Sequence, residues 1–157
     1  SPCAMPDFDG LLLQGWVQQE LQFLSSMCTQ PDLASSSVIR KAVVRYEGCW
    51  LPLARQKQDA SLTPPLDVAC VWKAHMMDPL QYAEDCNASV GSIVDCNTSL
   101  DLQQQAKDME RSQTAWQLRF PAEPYSFEEC PLVDDPEPHD SAFAYDFIRA
   151  VQRLQTL

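Results

Sequence analysis

Apolar residues recur along most of this chain at intervals of three or four, which is the spacing of helices, and no segment alternates as a β-strand does. This spacing predicts a first helix over residues 8–28. It predicts a second helix that begins at the serines of 35–37, carries Trp50 on its apolar face and ends near Pro52, because a proline inside a helix removes a backbone hydrogen bond. The first third of the chain is therefore expected to form two helices with broad apolar faces.

Two short helices joined at a sharp corner are predicted over residues 64–86. Asp67 follows two prolines and is expected to cap the first helix, which should end at Met77. Asp78 then provides a cap and Pro79 the first position of the next helix, where a proline is well tolerated.

The second half of the chain alternates polar loops with helices. A turn-rich loop is predicted from Asn87, and a helix over residues 101–119 should carry Met109 and Trp116 on its apolar face. Residues 121–139 contain five prolines and six acids, so they are expected to form an irregular surface loop. A last helix should follow a cap at Asp140 or Ser141 and bury apolar residues from Phe143 to Leu154.

These elements predict an all-α fold, with a single compact domain of about six helices over residues 1–157 and long polar and acidic loops. The chain has 157 residues, 45% of them hydrophobic, which is enough to bury a core. Trp50, Trp72 and Trp116 are expected to anchor that core. No run of eighteen apolar residues occurs, so no membrane span is expected.

His75 is the residue whose chemistry most invites a functional interpretation. On a helix it shares the apolar face of Trp72, so we expect it to point inward and to hydrogen-bond to Asp78, Asp85 or Tyr82. The alternative is a small ligand-binding or catalytic site around this histidine. The residues of that candidate ligand or partner site are Asp67, Trp72, His75, Tyr82 and Asp85. An open pocket above them would favour the alternative, whereas a buried His75 and an exposed apolar patch elsewhere would favour an interaction module.

No convincing catalytic or metal-binding set appears in the sequence. Nucleophilic catalysis needs an oriented histidine base, and the chain offers only His75 and His139. We expect no catalytic residue, no cofactor and no metal site. We favour a non-catalytic protein-interaction or scaffold module, as a subunit or fragment of a larger assembly, over a small helical enzyme or ligand-binding domain with a site around His75.

Charge and cysteine content restrict the partner and the location. A formal charge of -11 repels phosphate backbones, so we expect a protein partner with a basic surface and no nucleic acid through this domain alone. Seven irregularly spaced cysteines and the lack of a signal-peptide pattern favour free thiols and an intracellular, soluble protein. Two glycosylation sequons, at Asn87 and Asn97, leave secretion open.

A set of motifs spread over nearly the whole chain resembles one domain of the glycine-rich domain-containing protein-like family, best known from plants. The motifs are Arg45-Tyr46, Cys49-Trp50-Leu51-Pro52-Leu53, Pro64-Pro65-Leu66-Asp67, Val71-Trp72, His75, Asp78-Pro79, Tyr82, Asp85-Cys86, Trp116, Phe120-Pro121-Ala122-Glu123-Pro124-Tyr125, Tyr145-Asp146 and Ala150-Val151-Gln152-Arg153. The chain departs from the family's Trp-His-x-His pattern because Lys73 stands at the first histidine. The resemblance implies a shared fold and carries no settled biochemical activity.

Overall fold

A computed structural model describes residues 10–57, 61–95, 101–131, 141, 143 and 145–156. The regular structure of these residues is helical throughout, which confirms the all-α prediction. The α-helices are α1 (Gly10–Cys28), α2 (Ser36–Arg45), α3 (Leu51–Gln56), α4 (Leu66–Met76), α5 (Pro79–Val90), α6 (Leu102–Arg119) and α7 (Phe147–Leu154). Within the described ranges, no helix is both long and apolar enough to cross a membrane.

Helices α2, α4 and α7 pack against one another and form the centre of the core. Their apolar faces are buried, and α4 contributes most because most of its residues are buried between the other two helices. Trp50 and Trp72 are buried side by side with ring centroids 5.2 Å apart, and Trp116 is buried on α6. Aromatic side chains of this size contribute much of the packing energy of a small core.

The second helix does not end near Pro52, which corrects the prediction. One turn of π-helix, Tyr46–Trp50, joins α2 to α3, and the chain continues helically through Pro52 to Gln56. In this turn the N–H of Leu51 donates to the carbonyl of Tyr46, five residues earlier. A π-turn widens the helix locally, so a proline that lacks an N–H fits at the start of the following α-helical turn.

The proline corner between α4 and α5 is confirmed, but α5 is longer than predicted. The carboxylate of Asp78 accepts the N–H of Gln81 at 3.2 Å, and Pro79 is the first residue of α5. The predicted loop from Asn87 is wrong for its first residues, because α5 continues to Val90 and ends at Gly91, whose φ is 82°. Glycine adopts this left-handed conformation without steric cost. Asn87 is exposed on the last turn, and Asn97 lies outside the described residues.

Two predictions about the later helices are corrected. The buried side of α6 carries Asp108, Ser112 and Trp116, whereas Met109 is 49% exposed. The burial of Ser112 is compensated by a hydrogen bond, because its hydroxyl accepts the N–H of Thr63 at 2.6 Å. Helix α7 starts at Phe147, capped by the carboxylate of Asp146, and not after Ser141. The alternative cap, Asp140, lies outside the described residues; Phe143 is buried ahead of the helix.

Candidate functional site

The imidazole of His75 is completely buried and hydrogen-bonded at both nitrogens. Its Nε2 lies 2.8 Å from Oδ2 of Asp85, and its Nδ1 lies 2.8 Å from the hydroxyl of Tyr46. The predicted hydrogen bond to Asp85 is confirmed, while Tyr46, on the π-turn, was missed. Gln81 donates its side-chain N–H to the other oxygen of Asp85 at 2.9 Å and so fixes the carboxylate.

The protonation of this network follows from its hydrogen bonds. Burial lowers the pKa of His75 below its usual value, although Asp85 acts in the opposite direction. A neutral imidazole has one donor and one acceptor. The carboxylate of Asp85 accepts the Nε2 hydrogen, and the hydroxyl of Tyr46 donates to Nδ1. Burial raises the pKa of Tyr46, so this hydroxyl keeps its proton.

Aromatic rings close the space around the imidazole. The rings of Tyr46, Tyr82, Phe143, Tyr145 and Phe147 all lie within 5.8 Å of it, centroid to centroid. Trp72 donates its indole N–H to the hydroxyl of Tyr82 at 2.9 Å, and that hydroxyl donates in turn to the carbonyl of Val94. The structure therefore brings together four of the five candidate residues, namely Trp72, His75, Tyr82 and Asp85. They form two hydrogen-bonded pairs whose His75 and Tyr82 rings are in contact, and His75 lines none of the described cavities.

Asp67, the fifth candidate residue, belongs to a different network and does not cap α4. It lies in the first turn of the helix, 2% exposed, and its Oδ2 is 3.0 Å from Nε of Arg45, which is 1% exposed. A buried guanidinium requires a compensating carboxylate. The ion pair between Asp67 and Arg45 therefore stabilises the fold more than a hydrogen bond from Asp67 to the start of α4 would. Burial nevertheless raises the pKa of Asp67, against the lowering effect of Arg45.

The start of the acidic loop completes the network around Arg45. The Nη1 of Arg45 lies 3.1 Å from Oε1 of Glu123 and donates to the carbonyl of Pro124. The Nη2 of Arg45 donates to the carbonyl of Tyr125 at 2.6 Å. The guanidinium also lies 5.1 Å from the ring centroid of Trp116. The expectation of a surface loop over the whole segment is thus wrong for residues 123–125, and residues 132–140 lie outside the described chain.

A cavity of about 360 Å³ lies beside this second network. It lies between two 3₁₀ turns, Pro31–Ala34 after α1 and Phe127–Glu129 in the acidic loop. Its described lining includes Asp67, Lys41, Val38, Phe127 and Cys130. Burial raises the pKa of the Cys130 thiol, which therefore stays protonated. No group of three or more His, Cys, Asp or Glu side chains within the described ranges is placed to hold a metal ion.

Helix α1 leaves an apolar face uncovered. Leu13, Trp16, Val17 and Leu21 are between 45% and 59% exposed, and they occur at helical spacing on one side of the helix. The other half of α1 is attached to the core through Met27 and by an ion pair between Glu20 and Lys73. We define the four exposed residues as the α1 stripe. The sequence shows these apolar residues recurring at helical spacing, but that spacing alone does not distinguish a buried helix face from an exposed one.

The described residues form a small all-α domain with a buried helical core, two internal polar networks and an exposed apolar face on α1. The chain belongs to the glycine-rich domain-containing protein-like family, whose model matches residues 11–85 and 81–157. The network residues Arg45, Tyr46, Asp67, His75 and Asp85 all occur in the motifs that carry the resemblance.

Two relatives from Arabidopsis thaliana show how this chain compares with longer proteins. It is 28% identical over 145 residues to Glycine-rich domain-containing protein 2 and 29% identical over 147 residues to Glycine-rich domain-containing protein 1. Each alignment covers 87% of this chain but only 18% of the relative, so the chain spans less than a fifth of their length. No solved structure shows significant similarity.

Proposed function

We propose that this chain forms a single non-catalytic interaction module, and that its α1 stripe binds an apolar helix of a partner protein. The observation that carries the proposal is the exposure of Leu13, Trp16, Val17 and Leu21 on one helix face. Monomeric proteins rarely leave a contiguous apolar surface of this kind in water unless it binds something. Glu20 is the one charged residue of α1 and is paired with Lys73, so the stripe itself presents no unpaired charge.

The chemistry of the partner follows from the surroundings of the stripe. An amphipathic helix with aliphatic side chains on one face would bury the ring of Trp16, and aromatic residues of this size are frequent sources of binding energy at interfaces. The formal charge of -11 favours basic residues on either side of that apolar face. We infer an intracellular location from the free thiols of Cys28, Cys49, Cys70, Cys86 and Cys130.

The alternative of a ligand-binding domain rests on Asp67 and not on His75. The cavity beside Asp67 has about the volume of the smaller ligand pockets, whereas His75 lies at none of the described cavities. We retain the interaction module as the proposal, because an enclosed imidazole has no route to a substrate and the stripe is freely accessible.

The test replaces exposed side chains whose loss leaves the core intact. A Trp16→Ser, Val17→Ser double variant is compared with a Met77→Ser, Leu80→Ser control, which removes from the α4–α5 corner two apolar side chains that are even more exposed. Partners captured from extracts of the source organism are quantified, and the strongest is purified and titrated by calorimetry. We expect at least about a tenfold loss of affinity in the α1 variant and none in the control, since a hot-spot side chain contributes about 2 kcal/mol or more. Equal affinities of the two variants would refute the proposal.

A further inference from the structure

A second surface, between α3 and α6, has a charge opposite to that of the chain as a whole. It is an open groove of about 750 Å³, and its described lining comprises Leu53, Gln56, Lys57, Lys107, Glu110, Arg111, Thr114, Ala115, Leu118 and Arg119. Four of the chain's eleven basic residues lie here beside a single carboxylate of the lining, Glu110. We call this surface the α3–α6 groove.

The cations of the groove are largely uncompensated. Neither Lys57 nor Lys107 makes an ion pair with any described residue, and Arg119 donates to the amide oxygen of Gln56, which is uncharged. Arg111 lies 3.7 Å from Asp108, a carboxylate that also accepts from Gln104. The chain has a formal charge of -11, yet these cations have few carboxylate partners within it. The groove therefore attracts a short anionic segment of another molecule.

Apolar side chains form the base and one edge of the same groove. Leu53 is buried at the base, Ala115 is partly buried, and Leu118 is 80% exposed, the largest exposure of any apolar residue on α6. A phosphate backbone offers nothing to fill this part of the groove, and the acidic remainder of the chain repels a long polyanion. A peptide fits both features, because it combines carboxylates with aliphatic or aromatic side chains.

We propose that the α3–α6 groove binds an acidic segment of a partner protein, with a large apolar side chain against Leu118 and Ala115 and carboxylates beside Lys57, Lys107 and Arg119. Charge complementarity of this type determines which partner is recognised and accelerates the encounter. The groove lies on helices other than α1, so the inference stands independently of the α1 stripe.

The experiment uses the full chain and a fluorescent ten-residue peptide in which Asp and Glu alternate with Leu and Phe. We expect saturable binding that weakens as salt is raised, because exposed charges are screened. A peptide with Asn and Gln in place of the acids should bind at least about tenfold more weakly. Equal binding of the two peptides, no saturable binding, or tighter binding of a single-stranded oligonucleotide would each overturn the proposal.

Matched variants locate the binding in the groove. Lys107→Glu with Arg111→Glu should weaken binding by about tenfold, whereas Arg40→Glu with Arg149→Glu, exposed residues of α2 and α7, changes the net charge equally and should have little effect. Leu118→Ser should weaken binding severalfold, and Leu80→Ser, at 79% exposure the matched control, should not. A basic counterpart of the peptide should bind the Lys107→Glu, Arg111→Glu variant more tightly than the wild type. Equal losses in the groove variants and their controls would refute the location.

Discussion

Arg45 is permanently charged and almost completely buried, so its partners determine whether the domain is stable. Asp67 and Glu123 supply the negative charge, and the backbone carbonyls of Pro124 and Tyr125 accept hydrogen bonds from Nη1 and Nη2 of Arg45. A buried ion becomes costly when a partner is removed, because the group that remains is desolvated and uncompensated. Arg45 therefore holds the loop after α6 against α2 and α4.

Replacing Arg45 should be far more damaging than replacing Lys41, although both pair with Glu123. We expect Arg45→Met to lower the free energy of unfolding by about 3–5 kcal/mol, since it leaves the carboxylate of Asp67 buried and unpaired. Lys41→Met should cost less than about 1 kcal/mol, because the lysine is partly exposed. Urea unfolding of both variants measures the difference, and similar losses would contradict a buried network.

Sequence reasoning reached the histidine network but missed the arginine network, for a physical reason. The inward direction of His75 and its bond to Asp85 follow from local helix geometry, because the two residues lie on adjacent helices joined by a proline corner. Arg45 pairs with residues 22 and 78 positions away, and helix periodicity carries no information about such contacts. The available signal was the occurrence of Arg45, a charged residue, directly before the apolar Tyr46 in the family motif.

The π-turn at Tyr46–Trp50 sets the direction of two helices at once. Each residue of a helix advances the direction of its side chain by about 100°. In the π-turn each hydrogen bond spans five residues, and this spacing decides which side chains of α3 face the core. Leu51 and Leu53 are buried as a result. A pattern of apolar positions predicts a continuous helix here and does not reveal the wider turn, which is why the effect of Pro52 was misjudged.

Gly48 gives a direct test of this turn, because it is exposed and a Cβ at this position would meet no atom within 4 Å. Inserting one alanine after Gly48 should rotate α3 by about 100° relative to α2, because the turn already holds one residue more than an α-helical turn. The insertion should cost at least about 3 kcal/mol by withdrawing buried leucines from the core. The control, Gly48→Ala, keeps the register and should raise stability by about 0.5–1 kcal/mol. Thermal and urea unfolding measure both, and an insertion that is tolerated as well as the substitution would show that the register is unimportant.

The domain as a whole combines a closed interior with two accessible surfaces of different character. The polar networks occupy the interior, and the α1 stripe and the α3–α6 groove lie on separate helices. The all-α fold was predictable from the sequence because helical periodicity is local. The two surfaces were not, since exposure depends on which faces the other helices cover.

Acid should destabilise the folded domain through His75. Its native pKa lies below the ordinary value of 6.5, so below pH 6.5 the unfolded chain binds a proton that the native imidazole does not. Stability is fully present above pH 6.5 and should fall on acidification by up to about 1.4 kcal/mol per pH unit. The raised pKa of Asp67 acts in the opposite direction, because the native carboxyl takes up a proton first.

Comparison with a His75→Gln variant separates the two contributions. Urea unfolding between pH 7.5 and 5 should show a shallower loss of stability in the variant, whose unfolded chain no longer gains that proton. Parallel pH profiles of the two proteins would mean that His75 has the same pKa in the folded and unfolded states.

The imidazole of His75 is a closed, neutral part of the core, whereas an accessible and protonatable histidine would restore a catalytic or ligand-binding site. Histidine ¹⁵N NMR of a His139→Gln variant, which leaves His75 as the single histidine of the chain, measures its protonation and tautomer directly. We expect the neutral form with its proton on Nε2, and a titration midpoint below 6.5. A midpoint at or above 6.5, or a proton on Nδ1 in the neutral form, would contradict the sealed network.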